Sequence, residues 1–489
     1  MSHERYPAGT MLLGNDPSRA LDAVFINAPL KDYELWPRHN DYTLPVLGMA
    51  YIATYCASAG FNVAVLDAEA GGLGITQIAQ IINREQPRWV GLNLLAPTYR
   101  LSREILRSID PDIQVMLGGH QAKAMPAEIL TDSLIPRIDA LVIGEAETRV
   151  AVLLEGSNRR KELPGVMWVD ALLNAPVTGG RADSPSRLLA PDIHEMPFVD
   201  RSYLAQDPFL DKDGTLEANM VGSRGCPYNC SFCGAAASAN PDVEIRTRMP
   251  ESLVAEMRVL SQFAGVGAFR FVDDLFLASP SFIRACMAEF IREDVGHWCQ
   301  WDATGRINVL SRAADQLLDL LRPAGCREVA LGVESGSSRL LEYMQKKITP
   351  EMTETAVRRL TERGISVKGY FILGYPTESA TELRATLDHI ERLWQIADGN
   401  EGSFRASAFE FRPYPGTLEW ERLTRDGGYS PSDLLAYEHV DLTSAGASEE
   451  MRQRDEFNFS VNIQFGEVPI RSVREALAQV TATQHARTA

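Results

Sequence analysis

The sequence predicts an α/β protein with three parts: a Rossmann-like, doubly wound open sheet, a partial parallel (β/α)6 barrel, and a small mixed, largely helical C-terminal region. Two observations carry this. Short apolar runs alternate with amphipathic stretches through the first 155 residues, at 23–27, 62–66, 89–95, 113–117 and 140–144. The same alternation resumes near 219 and continues through 269–273, 300–304, 328–333, 367–373 and 405–411. Short continuous apolar runs are the pattern of parallel strands buried on both faces, and the stretches between them supply crossover helices.

Taken in order, the first strand is AVFIN, and the segment PVLGMAYIATYCASAG that follows places Leu47, Ala50, Tyr51 and Thr54 at helical spacing, with Gly60 as its stop. Four further βα repeats complete a domain over residues 1–155. Residues 156–215 lose all periodicity in NAPVTGG, DSPSR and APDIHEMPFVDR and read as an interdomain connection. The six-strand barrel spans 216–411. In parallel barrels the chemistry sits at the carboxyl ends of the strands. The remaining 412–489 is charged and mixed, with helical periodicity in VREALAQVTATQ; its aromatic residues Tyr414, Trp420, Tyr429 and Tyr437, and His439, are expected to close the barrel top or fill its core.

Composition narrows the function. The chain of 489 residues is 45% hydrophobic and 23% charged, ordinary for a globular protein, and carries 65 acidic against 48 basic side chains, a net charge of −17. Such a balance disfavours a nucleic-acid partner, since that affinity rests on clustered Lys and Arg. The N-terminus lacks a basic segment followed by an apolar core, and no apolar run reaches the roughly 18 residues that span a bilayer. Seven cysteines, an odd number in a chain that needs no disulfide staples, suit reduced thiols, so no membrane partner and a cytoplasmic location are expected.

The strongest chemical signal is GSRGCPYNCSFCG, which places Cys226, Cys230 and Cys233 four and three residues apart, directly after the first barrel strand. Three thiolates in eight residues can converge on one metal centre. A closed zinc site needs a fourth ligand, for which Cys286 or His297 is the remote candidate. Alternatively, three cysteines leave one iron of a [4Fe–4S] cluster open to substrate.

The motif resembles the signature of the radical S-adenosylmethionine (radical SAM) superfamily, CxxxCxxC with an aromatic residue, here Phe232, before the last cysteine. The resemblance implies that Cys226, Cys230 and Cys233 hold a [4Fe–4S] cluster whose open iron binds SAM, and that SAM cleavage yields a 5′-deoxyadenosyl radical. FVDDLFL, GRIN and LGVESGS place Asp273, Asp274, Arg306, Glu334 and Ser335 at successive strand ends, and GYFILGYPTES brings Tyr370 and Tyr375 near the barrel top. By resemblance the Phe232 backbone meets the adenine, Glu334, Ser335 and Asp273 hold the ribose or the amino-acid end of SAM, and Asp274 and Arg306 join the cofactor contacts. Read without it, Asp273 or Asp274 caps the following turn and Glu334 pairs with Arg306.

The N-terminal alternation, with VMLGGHQAKAMPAEIL and ALVIGEAETRV, resembles the cobalamin-binding domain fused to many radical SAM enzymes. Gly118, Gly119 and Gly144 permit close backbone approach to a ligand, and His120 and Glu145 follow them. Residues 27–45 lack the Asp-x-His-x-x-Gly motif that supplies a lower cobalt ligand in other cobalamin domains, and His39 reads as a surface loop residue. The resemblance then puts the loop LLAPTYR, with Pro97, under the corrin. It implies a cobalamin-dependent radical SAM methyltransferase acting on an unactivated carbon of a natural-product or peptide-derived substrate, with [4Fe–4S], SAM and cobalamin as cofactors and an external flavodoxin- or ferredoxin-type electron donor. The same layout also serves non-methylating rearrangement, oxidation or cyclisation, and a domain that has kept the fold without the cobalamin is a further reading of the N-terminal glycines.

Overall fold

The computed structural model describes residues 11–36, 43–170, 172–180, 190–211, 214–235, 245–439 and 459–488. His39 lies outside them, as does the His439 side chain. The chain divides into two compact units, the first principally Met1–Asp207 and the second made of Pro208–Ala236, Glu244–Gly446 and Phe457–Ala489.

In the first unit β1 (Ala23–Asn27), β2 (Val63–Asp67), β3 (Trp89–Asn93), β4 (Gln114–Gly118) and β5 (Ala140–Val142) form a parallel sheet in the order β2-β1-β3-β4-β5. Each apolar run became a strand because both sheet faces are covered: Val24, Ile26, Leu66 and Leu92 are buried with Ile78, Ile82 and Ile105 from the crossover helices. The first crossover helix is Leu47–Ser58, and Gly60 ends it at φ +92. The stretch read as an interdomain connection is corrected here. It contains β6 (Val166–Asp170) and β7 (Ala175–Thr178), which extend the first sheet in antiparallel fashion from β5.

The second unit opens with β8 (Phe209–Leu210), antiparallel to β9 (Leu216–Met220). A short ribbon of β10 (Ser223–Arg224) and β11 (Arg246–Thr247) flanks the cysteine loop. Then come β12 (Ala268–Phe271), β13 (Gln300–Gly305), β14 (Cys326–Glu334), β15 (Ser366–Leu373) and β16 (Phe404–Glu410). The sheet order β8-β9-β12-β13-β14-β15-β16 never closes, giving a half-barrel that curls through 212°. A second small ribbon, β17 (Glu438–His439) with β18 (Phe459–Ser460), and the helix Ile470–Thr488 complete the unit.

The two faces of this sheet differ chemically. The convex face buries Phe271, Phe276, Phe290 and Trp301, with Phe271 and Phe276 stacked at 4.1 Å, under the flanking helices. The Trp301 indole donates to the Ala324 carbonyl at 2.8 Å, so this large side chain is buried without an orphaned N–H. The concave face carries charge: Arg270 meets Glu217 at 2.8 Å, Arg327 meets Asp302 at 2.6 Å, and Arg405 grips Glu328 through two bonds of 2.8 and 2.6 Å. Charges inside a barrel are tolerated because each is paired.

In the first unit Gly119 sits at φ +93, and a Cβ there would run into the Asn93 side chain and lie 2.8 Å from the Leu94 carbonyl. Crowding by β3 is thus sufficient to require glycine. Gly119→Ala is expected to cost about 2–4 kcal/mol from backbone strain plus overpacking, read by denaturant unfolding. A loss under about 1 kcal/mol would show that the turn relaxes and that crowding is not the constraint.

Candidate active site

The cysteine loop leaves the carboxyl end of β9 as irregular backbone, so its amide groups need partners from elsewhere. Asp273, at the end of β12, supplies one set: its carboxylate accepts from the Gly222 amide at 3.0 Å and from the Ser223 amide. Burial pushes this carboxyl up to about 6, against the hydrogen bonds that lower it. Asp273 therefore pins the loop, and it neither caps its own turn nor stands open as a cofactor ligand. Further along, the Ser231 amide donates to the Met344 carbonyl at 2.9 Å, and the Ser231 carbonyl accepts from the Glu419 amide at 2.8 Å.

Cys230 is buried, while Cys226 and Cys233 are half-buried. Burial raises the Cys226 thiol above its ordinary range; the Tyr228 amide and Arg306 oppose this, and Asp274, exposed nearby, adds to it. The remote zinc ligands do not come to the loop. Cys286 is packed in the convex core, and His297 is exposed, with Nδ1 2.5 Å from Asp294. Among the described residues no three His, Cys, Asp or Glu side chains gather closely enough to hold a single metal ion. Three thiols on one loop are a donor set for a multi-iron cluster, with one cysteine per iron.

The strand-end residues surround this loop. Arg306, after β13, donates to Cys230 Sγ at 3.7 Å and to the Lys346 carbonyl, and its guanidinium lies 4.0 Å over the Tyr228 ring. Glu334 pairs with Lys346, not with Arg306. Glu334 has φ +67, a left-handed conformation that side chains avoid, and a Cβ on Gly332 would collide with the Glu334–Lys346 pair. Lys346 Nζ is also 5.7 Å from the Phe232 ring centre, and Phe232 packs edge-on against Tyr375 at 6.1 Å. Ser335, expected beside SAM, is wholly buried; its hydroxyl contacts Thr386 at 3.0 Å and accepts from the Ser337 amide. It builds the turn after β14.

Sequence reasoning missed a polar knot behind the loop. Tyr375 Oη donates to Glu419 at 2.9 Å and lies 3.0 Å from the Ser231 hydroxyl. Arg422 donates to the same carboxylate at 3.0 Å and stacks on Tyr343 at 4.3 Å. Burial pushes the Tyr375 phenol far up, so it stays protonated and donates. The one available signal was the N-cap pattern at Thr417, which starts the helix Leu418–Arg425 that carries Glu419 and Arg422. Tyr370, by contrast, packs on Phe409 with Lys368 4.6 Å over its ring.

In the first unit the predicted residues collect at the carboxyl edge of the sheet. Pro97 is half-buried after β3, Gly118 ends β4, His120 is exposed at the start of the helix His120–Ala124, and Gly144 turns at φ +86 after β5, followed by Glu145, whose carbonyl accepts from Arg149. A Cβ on Gly118 would meet only the Val142 carbonyl, at 3.4 Å, so packing does not demand that glycine. Gln121 leaves a buried amide oxygen without a donor, and Leu35 and Trp36 on the loop after β1 are exposed. These glycines, the unmet acceptor and the exposed apolar side chains fit a large, partly apolar ligand such as a corrin.

Removing the Asp273 carboxylate strands two buried amides. Asp273→Ala is expected to cost about 2–4 kcal/mol and to lower iron and sulfide per chain after anaerobic reconstitution, whereas Asp273→Asn, which keeps an acceptor, retains most of both. Full cluster content in the alanine variant would show that the loop is held without Asp273.

Comparison with known proteins agrees with both units. The radical SAM superfamily profile matches residues 220–390, and the B12-binding domain profile matches 39–154. An uncharacterised methyltransferase of Pyrococcus horikoshii is 29% identical over 383 residues, 78% of each chain. The anaerobic magnesium-protoporphyrin IX monomethyl ester cyclase of Rubrivivax gelatinosus is 28% identical over 350 residues, 70% of this chain and 61% of that one. Among solved structures, the radical SAM methyltransferase TsrM of Kitasatospora setae, with cobalamin and a [4Fe–4S] cluster bound, superposes with a TM-score of 0.65 at 19% identity, over 86% of this chain and 80% of that one, a likeness of fold. No helix of the described residues is long and apolar enough to cross a membrane. A B12-binding match and a radical SAM match thus follow one another in this chain, the second over the half-barrel that carries the thiol loop.

Proposed function

We propose that the protein is a cobalamin-dependent radical SAM methyltransferase that methylates an unactivated carbon of a small molecule, of natural-product or peptide-derived type. The observation that carries this is the pairing, in one chain, of a three-thiol loop on a half-barrel with a B12-binding fold. When bound, the cluster and SAM supply a carbon-centred radical, and cobalamin carries the methyl group. The chain's own part is positional. Cys226, Cys230 and Cys233 would hold the cluster, and the Phe232 backbone would meet the adenine. Asp274 stands at the mouth, and the turns at Pro97, Gly118–His120 and Gly144–Glu145 would border the corrin. The curled sheet keeps water from the radical. The electron comes from a flavodoxin- or ferredoxin-type donor, and the acidic surface favours neither nucleic acid nor an anionic membrane.

The cyclase relative supports a second reading, a non-methylating radical reaction on the same cofactors. The test is anaerobic protein incubated with hydroxocobalamin and desalted. Retained corrin bands above iron–sulfur absorbance are expected, with Cys226→Ala losing the latter and keeping the former. Reduction in the presence of SAM alone then yields S-adenosylhomocysteine in proportion to bound corrin. A cluster spectrum without retained corrin would sink the methylcobalamin reading, and retained corrin without S-adenosylhomocysteine favours the second.

A further inference from the structure

Buried cations in the second unit come with acids. Arg248 meets Glu256 at 2.5 Å and Lys346 meets Glu334, and the half-buried Arg405 likewise meets Glu328. Arg306 is the exception. It is buried, its Nε has no partner, and its two terminal nitrogens donate to Cys230 Sγ and to the Lys346 carbonyl. Its remaining neighbour is the Tyr228 ring, itself fixed by Asn308 at 3.2 Å. Among the described residues no carboxylate answers this charge. A buried guanidinium left so is costly unless an anion arrives.

The geometry points to that anion. We infer that Arg306 is the charge partner of the thiolate-bound cluster itself, and that it raises the cluster's reduction potential through its N–H to the Cys230 sulfur. The inference rests on the cluster being held by the three cysteines. A cluster with three thiolates is negative in its oxidised state and gains one more negative charge when a single electron enters; no bond forms or breaks and no proton moves. A fixed positive charge and a sulfur hydrogen bond therefore favour the reduced state. Tyr228, two residues beyond Cys226, and the Lys346 carbonyl hold the guanidinium plane in position, so Arg306 is a positioning and tuning residue rather than a ligand.

The test is a redox titration of the reconstituted, SAM-free protein, with dithionite or a photoreduced deazaflavin as one-electron donor and the reduced cluster counted by electron paramagnetic resonance. Arg306→Met is expected to lower the reduced-to-oxidised ratio at a fixed potential at least tenfold, a midpoint shift of about 59 mV downward. Arg306→Lys keeps the charge and shifts less. Tyr228→Leu, which loosens the guanidinium while leaving its charge, shifts in the same direction by a smaller amount. If Arg306→Met does not load iron, the lysine and Tyr228 variants decide. Midpoints equal to wild type in iron-replete variants overturn the inference, as does an unchanged midpoint with SAM affinity weakened tenfold, which would make Arg306 an anchor for the SAM carboxylate. Wild-type protein that forms no cluster would instead overturn the cluster reading.

Discussion

The half-barrel depends on one constraint: the cysteine loop is irregular backbone beyond the carboxyl end of β9, and each of its buried amides must find an acceptor outside the ladder. Thiols alone cannot hold such a loop before a cluster is present. Three separate elements do. Asp273 from β12 takes the amides of Gly222 and Ser223, Met344 beyond β14 takes the Ser231 amide, and the helix bearing Glu419 donates its amide to the Ser231 carbonyl. The loop is thus shaped by residues spread over nearly two hundred positions of chain, so cluster geometry is tied to the packing of the C-terminal region.

That dependence explains why the barrel separates its faces so sharply. The convex face carries the apolar core and can be varied residue by residue within the limits of packing. The concave face carries Glu217, Arg270, Asp302, Arg327, Glu328 and Arg405 in paired contacts near the amino ends of the strands. Paired charges there fix the relative position of neighbouring strands without filling the carboxyl mouth, where Asp274 and the cysteine loop lie. An open sheet needs such cross-strand ties more than a closed barrel does, because its edge strands β8 and β16 do not pair to close the ladder.

How much of this could be read in the sequence follows from how local each cause is. The buried parallel strands were legible nearly to the residue, since burial on both faces leaves a continuous apolar run such as VFIN or VALGV. The pair β6 and β7 was not, because half-exposed antiparallel strands with Asn174 in the connection and Pro176 inside β7 carry no such run and look like a linker. In the site, the cysteines announce themselves by spacing, and the strand-end polar residues by position. Their partners do not. Nothing near Glu334 indicates that Lys346 rather than Arg306 will neutralise it, and Ser231, Tyr375 and Glu419 meet only through tertiary folding.

The exchange of partners at Glu334 has a structural reason that bears on the chemistry. A carboxylate in the left-handed region costs about 1–3 kcal/mol, and β14 accepts it through a register shift between Gly332 and Glu334. The shift turns the carboxylate toward Lys346, and only glycine at 332 leaves room for the pair. Had Glu334 followed the regular strand and taken Arg306, the guanidinium would be neutralised before any cluster arrived. Strain at one residue of β14 therefore leaves the adjacent cation available to the thiolates, and the bulge and the unpaired Arg306 are two sides of one arrangement.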